Sequence, residues 1–114
     1  NELGTTNEEA ASKFYTSLFG WATKPLPSTP PYTVFSNGGA DIGGMYGLTE
    51  QRKGVPSHWL PYLQVADCDA IVKKAQSLGG TTVIHPTDIP NTGRFAYLKD
   101  PQGAMFAVIK LLPR

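Results

Sequence analysis

The sequence has 114 residues, a formal net charge of +1, 40% hydrophobic and 17% charged residues. This is the make-up of one ordinary globular domain, too apolar for a disordered chain and long enough to bury a core. Lys and Arg are scattered rather than gathered into a stripe for nucleic acid, and no apolar run approaches a membrane span.

Along the chain, Leu3 to Thr5 reads as a short strand, and Glu2, Glu8 and Glu9 stand where a secretory leader would be basic and then apolar. Thr6 and Glu9 have capping-box spacing, which starts a helix over about residues 7–19. Ala10, Phe14 and Leu18, with Ala11 alongside, form an i, i+4, i+8 stripe expected to pack on a sheet. Gly20 supplies the stop. Pro25, Pro27, Pro30 and Pro31 then mark a loop with extended pieces. Tyr32 to Phe35 is a strand, Asn37-Gly38-Gly39 a turn, and Ile42 to Leu48 a glycine-rich strand that invites close approach by a backbone or ligand. Residues 49–57 read as a polar linker.

His58 to Val65 reads as a strand with Leu63 and Val65 turned toward a helix and Leu60, Tyr62 and Gln64 the other way. Asp67 caps a second helix over about residues 67–78, with Ile71, Ala75 and Leu78 as its buried stripe and Gly79-Gly80 as its end. Thr81 to His85 is strand-like and Pro86 to Asn91 a loop. Phe95 to Leu98 and Ala104 to Leu111 form a hairpin around Asp100-Pro101-Gln102-Gly103. The single cysteine, Cys68, cannot form an internal disulfide, suits a reducing, cytoplasmic setting, and lacks the partners that would give it chemistry.

The two halves are copies of one plan, offset by sixty residues. Ala10 aligns with Ala70, Lys13 with Lys73, Ser17 with Ser77, Leu18 with Leu78, Gly20 with Gly80, and Leu3 with Leu63. A repeat of this kind is one supersecondary unit that cannot bury its apolar face alone. Two such units, each a strand, a helix and more strands, should share one core and leave a cleft between their sheets.

The segment Ala10-Ala11-Ser12-Lys13-Phe14-Tyr15-Thr16-Ser17-Leu18-Phe19-Gly20-Trp21 resembles the A-x-x-F-Y-x-x-L-F-G-W helix of the glyoxalase/bleomycin-resistance/dioxygenase group, the vicinal oxygen chelate superfamily. Trp59-Leu60-Pro61-Tyr62, Gly93-Arg94-Phe95-Ala96 and Asp100-Pro101-Gln102-Gly103-Ala104 are similar to its short glyoxalase-like branch. The resemblance covers essentially the whole chain. It implies an α+β fold: two βαβββ modules, 1–48 and 58–114, forming half-barrel sheets around a small-molecule cleft within one domain, and commonly assembled as a homodimer. Fold alone does not give function.

Enzymes of that group hold a divalent metal with His and Glu side chains, and such a site needs three or four convergent ligands. Carried over by spacing, one ligand position falls before Asn1, its repeat-mate is Leu60, a third is Ala107, and the fourth lies near Gly44. None of the readable positions offers a ligand atom, so the expectation is no metal and no other cofactor. The candidate ligand-binding residues are Glu2, Tyr46, Trp59, Tyr62, Gln64, Arg94 and Met105. Glu2 alternates with Leu3 and should point into the cleft, where a carboxylate needs a partner or a ligand. Arg94 could pair with a ligand carboxylate or tether a loop. Trp21, Tyr46, Trp59, Tyr62 and Met105 could wall an aromatic pocket or simply pack the core. His58 and His85 read as surface residues at strand ends. No Ser-His-Asp signature, P-loop or dinucleotide fingerprint is present, and no catalytic residue can be named.

The expected function is therefore metal-free binding of a planar or apolar small molecule by a homodimer, with no nucleic-acid or membrane partner. The alternatives are a metal-dependent lyase, isomerase or dioxygenase, and an interaction module with a vestigial cavity.

Overall fold

The computed structural model describes residues 1–27, 32–48 and 54–113. They divide into two compact units with the boundary between Leu60 and Pro61. The expected linker residues 49–53, and Pro30 and Pro31 of the proline loop, lie outside the described residues.

In the first unit strand β1 (Glu2–Thr5) leads into helix α1 (Glu8–Phe19), followed by β2 (Ala22–Leu26), β3 (Tyr32–Asn37), β4 (Ala40–Gly47) and β5 (His58–Leu60). The helix is capped by Asn7, whose side chain accepts Ala10 N–H at 3.0 Å, and not by Thr6. Thr6 sits one residue too early and gives its own N–H to Ser57 Oγ at 3.0 Å. Glu8 and Glu9 favour the positive end of the helix dipole, and Gly20 closes the other end in the left-handed region.

The stripe expected to be buried is not the one that is. Phe14 and Leu18 are 58% and 57% exposed. Ala11 and Tyr15, one position round the helix, pack with Trp21 against Leu3, Phe35 and Met45. Two apolar stripes lie side by side on α1, and the aromatic contacts of Tyr15 decide between them. Its ring meets Trp21, Phe35 and Trp59 at 5.9, 6.1 and 5.3 Å.

The sheet order is β2-β3-β4-β1-β5. Strand β2 runs through Pro25 where the prolines suggested a loop, because it is an edge strand and Pro there withholds no ladder hydrogen bond. The parallel pair β1·β4 is central, with Glu2 opposite Gly44 and Gly4 opposite Tyr46.

The second unit repeats the plan: β6 (Tyr62–Gln64), α2 (Cys68–Ser77), β7 (Thr81–Ile89), β8 (Gly93–Lys99) and β9 (Met105–Leu111), in sheet order β6-β9-β8-β7. Each unit thus contains a βαβββ module, β1 to β4 and β6 to β9, whose first and last strands are parallel neighbours, and β5 adds to the first sheet beside β1. The strand expected over 58–65 is two strands. Pro61 cannot donate a hydrogen bond, and the chain changes sheets there, its carbonyl accepting Ala107 N–H at 2.9 Å. Strand β7 continues through Pro86, again on an edge, with its register shifting on either side of Ile84.

The core of this module is Cys68, Val72, Ala96, Leu98 and Val108, with Ile71 and Ala75 packed against it. Asp67 caps α2 as expected, accepting Ala70 N–H at 3.0 Å. Leu78 is not part of the buried stripe: it is the C-cap residue, beyond the last full turn, and is 68% exposed. Cys68 supplies buried volume in its place. Among the described residues no helix is long and apolar enough to cross a membrane.

Candidate functional site

Alternation sorts each sheet into a helix face and an opposite face. In the first module Leu3, Phe35 and Met45 face α1. The opposite face is built from two cross-strand rows. One runs Val34, Gly44, Glu2, Leu60, and the next runs Tyr32, Tyr46, Gly4, His58.

Each row contains a glycine, and an aromatic side chain occupies the space beside it. A Cβ on Gly44 would overlap the Tyr32 phenol. That phenol crosses from its own row to donate to Glu2 Oε2 at 2.9 Å. Over Gly4 two side chains converge: a Cβ there would lie 2.9 Å from Tyr46 Oη and 3.1 Å from His58 Cε1. The His58 ring is held from behind, with Nδ1 2.8 Å from the Pro56 carbonyl oxygen. A carbonyl only accepts, so Nδ1 carries the proton and the neutral ring presents Nε2 as its acceptor.

The second module has a related arrangement. Tyr62 and Tyr97 flank Ala107 in one row, and Tyr62 Oη donates to Tyr97 Oη at 3.1 Å across that small residue. Gln64, opposite Ile109, and Met105, opposite Lys99, share this face with them. Phe95 packs on Tyr97 with ring centroids 5.6 Å apart.

Of the residues named from sequence, Glu2 and Tyr46 therefore stand together on one sheet face, and Tyr62, Gln64 and Met105 on the corresponding face of the other module. Trp59 and Arg94 lie on the helix faces. Trp59 donates from Nε1 to Tyr15 Oη at 2.9 Å, within the aromatic cluster under α1. Arg94 forks onto both carboxylate oxygens of Asp69 at 2.8 and 3.1 Å, and reaches Asp88 at 3.0 Å. These bonds hold the Arg94 guanidinium charged and draw the Asp69 carboxyl below its ordinary range. Burial pushes the Cys68 thiol up. Tyr32 and Tyr97 stand on these faces without having been named from sequence, and His58, read there as a surface residue at a strand end, joins them. For His58 the signal was present, since it alternates with Leu60.

The donor set does not suit a metal. Glu2 stands between Gly44 and Leu60, and Ala107 stands between two phenols. Hydrocarbon at these positions cannot replace imidazole or carboxylate around a divalent ion. Among the described residues no group of three His, Cys, Asp or Glu side chains is placed to hold one.

Residues 2–108 match the family model described as Glyoxalase/Bleomycin resistance protein/Dioxygenase superfamily. The chain is 40% identical over its full length to CFP32 of Mycobacterium tuberculosis, provisionally named a glyoxylase. It is 33% identical, over 94% of its length, to the anthracycline biosynthesis protein DauV of a Streptomyces species. In both cases it spans only 44% of the relative. Among solved structures it is similar to methylmalonyl-CoA epimerase from Mycobacterium tuberculosis, with a TM-score of 0.73 at 14% identity. That match covers 98% of this chain and 85% of the other, and it bears on the fold alone.

Proposed function

The chain belongs to the glyoxalase/bleomycin resistance protein/dioxygenase superfamily, and we propose from that premise that it binds a planar, mostly apolar small molecule without a family-type metal. One observation carries this reading: the positions where the family places metal ligands hold Leu60, Gly44 and Ala107, yet the faces around them carry phenols, a carboxylate and an imidazole. Either face, with its aromatic side chains and a few polar groups, suits an aromatic ligand oriented by one or two hydrogen bonds. Identity to an anthracycline biosynthesis protein makes planar aromatic alcohols the first ligands to test.

The test is elemental analysis of protein purified without added metal, followed by thermal shift with 2-naphthol. Substoichiometric metal is expected, with a stabilisation of about 2.7 kcal/mol when the ligand reaches a hundred times its dissociation constant. Tyr62→Ala should weaken binding and leave unfolding cooperative. Stoichiometric zinc, nickel, manganese or iron that is lost on changing Glu2 or His58 would instead establish the metal-dependent enzyme.

The same reading includes a cytoplasmic homodimer. Two-fold dimers are the commonest small oligomers, and the apolar side chains of Phe14 and Leu18 on α1 support self-association. Light scattering that reports only monomer at micromolar concentration would refute the dimer.

A further inference from the structure

We infer that His58, standing beside Tyr46 over Gly4, forms a recognition point for a ligand hydroxyl, with Nε2 accepting its proton. The inference rests on the small-molecule reading above and goes further by naming the group that is recognised.

Three features of the chain build this point. Gly4 lies opposite both Tyr46 and His58, so the two side chains flank the one position in their row that has no side chain of its own. They come together over it, within about the reach of a single missing methyl group. The Pro56 carbonyl fixes the ring by its Nδ1 proton, which is the device that sets a histidine's tautomer wherever its other nitrogen must accept. Had Nε2 carried the proton, the ring would suit a ligand carbonyl or carboxylate. Held this way, it suits an O–H or N–H.

The Tyr46 ring stands beside the His58 ring over Gly4 and gives the ligand an aromatic surface. Glu2, one row away on the same face, adds a second acceptor rather than a donor. The face is therefore matched to a donor-bearing ligand and mismatched to an anionic one. A planar aromatic alcohol satisfies both its apolar and its polar requirements.

The experiment compares 2-naphthol with 2-methoxynaphthalene, which keeps the ring and the oxygen but has no proton to give. Titration calorimetry should show wild-type protein preferring 2-naphthol by about tenfold, the worth of one well-placed hydrogen bond. His58→Asn keeps an amide donor near Nδ1 for the Pro56 carbonyl and removes Nε2. It should abolish the preference, bringing the two affinities to within about twofold of each other. Nitrogen-15 spectra of the unliganded protein give a second readout, expected to show His58 protonated at Nδ1 when neutral. Equal affinity for the two ligands, or a preference that survives in His58→Asn, would overturn the inference and leave small-molecule binding standing. An Nε2-protonated neutral ring would overturn it too. Failure of both ligands to bind would remove the small-molecule reading and this inference with it.

Discussion

The Tyr32 phenol lies directly over Gly44, and only the missing side chain at Gly44 lets it reach the Glu2 carboxylate. A strand glycine that packs nothing weakens a sheet. Here it clears a path for a hydrogen bond between strands that are not neighbours, β3 and β1.

Gly44→Ala should therefore displace Tyr32 and destabilise the chain by about 2 kcal/mol, the scale of a hydrogen bond to a charged group. In a Tyr32→Ala background the same substitution should cost less than about 0.5 kcal/mol, because the overlap is gone. Urea denaturation of the two single variants and the double variant measures the coupling. Additive losses would show that Gly44 matters for some reason other than Tyr32.

Arg94→Ala should lower the melting temperature by at most a few degrees, since the pairs with Asp69 and Asp88 are largely solvated. The Asp69 carboxyl titrates below its ordinary value, chiefly through the Arg94 hydrogen bonds. A depressed carboxylate contributes stability above its unfolded pKa of about 3.9 and loses it as pH falls through the lower folded value. The gap between wild type and variant, followed by circular dichroism, should thus be present at neutral pH and close in acid. A gap that widens in acid would contradict this.

Cys68, 1% exposed in the second core, should not react with Ellman's reagent until the chain unfolds. Its thiol is pushed up mainly by burial and next by the neighbouring Asp69. A raised folded pKa contributes stability below the unfolded thiol value of about 8.5 and loses it as pH rises through the folded one. Alkaline pH should accordingly destabilise wild type more than Cys68→Ala. Rapid labelling at neutral pH under native conditions would disprove the burial.

Leu18→Ala should cost less than about 1 kcal/mol, while Leu98→Ala should cost about 2–5 kcal/mol. The two leucines differ in surroundings rather than chemistry: Leu18 is 57% exposed and Leu98 fully buried. Thermal denaturation of both variants decides the matter. A large loss for Leu18 in a sample shown to be monomeric would restore the stripe read from the sequence.

The elements with local signals could be read before any coordinates. Gly20 ends α1, Asp67 starts α2, and the sixty-residue offset anticipates two modules with matching strand orders. What could not be read was set by tertiary neighbours. Ala11 and Tyr15 outcompete Ala10, Phe14 and Leu18 for the sheet because of where Trp21, Phe35 and Trp59 stand. Pro25 and Pro86 sit in strands because those strands are edges, a property of sheet order and not of the peptide. On the candidate site, alternation placed Glu2, Tyr62 and Gln64 on the face away from the helices. Trp59, readable as either pocket wall or core, pairs with Leu3 and packs under α1. His58 was set aside as a strand end, since neither its contact with Tyr46 nor its bond to Pro56 has a sequence signature.

The parallel pairing of β1 with β4, and of β6 with β9, bears on how the chain is made. A nascent chain emerges first strand first, but β1 finds its partner only when Gly44 to Gly47 arrive, and β6 only when Ala107 to Ile109 do. Until then Leu3 has no Met45 to pack on, and Cys68 has no Val108. Neither βαβββ module can lock gradually, because its closing strand, β4 or β9, is interior to its sheet and flanked on both sides by earlier strands. Synthesis should therefore complete the two sheets in two steps, one as each closing strand becomes available, and a pause just before either is expected to leave apolar surface open to chaperones.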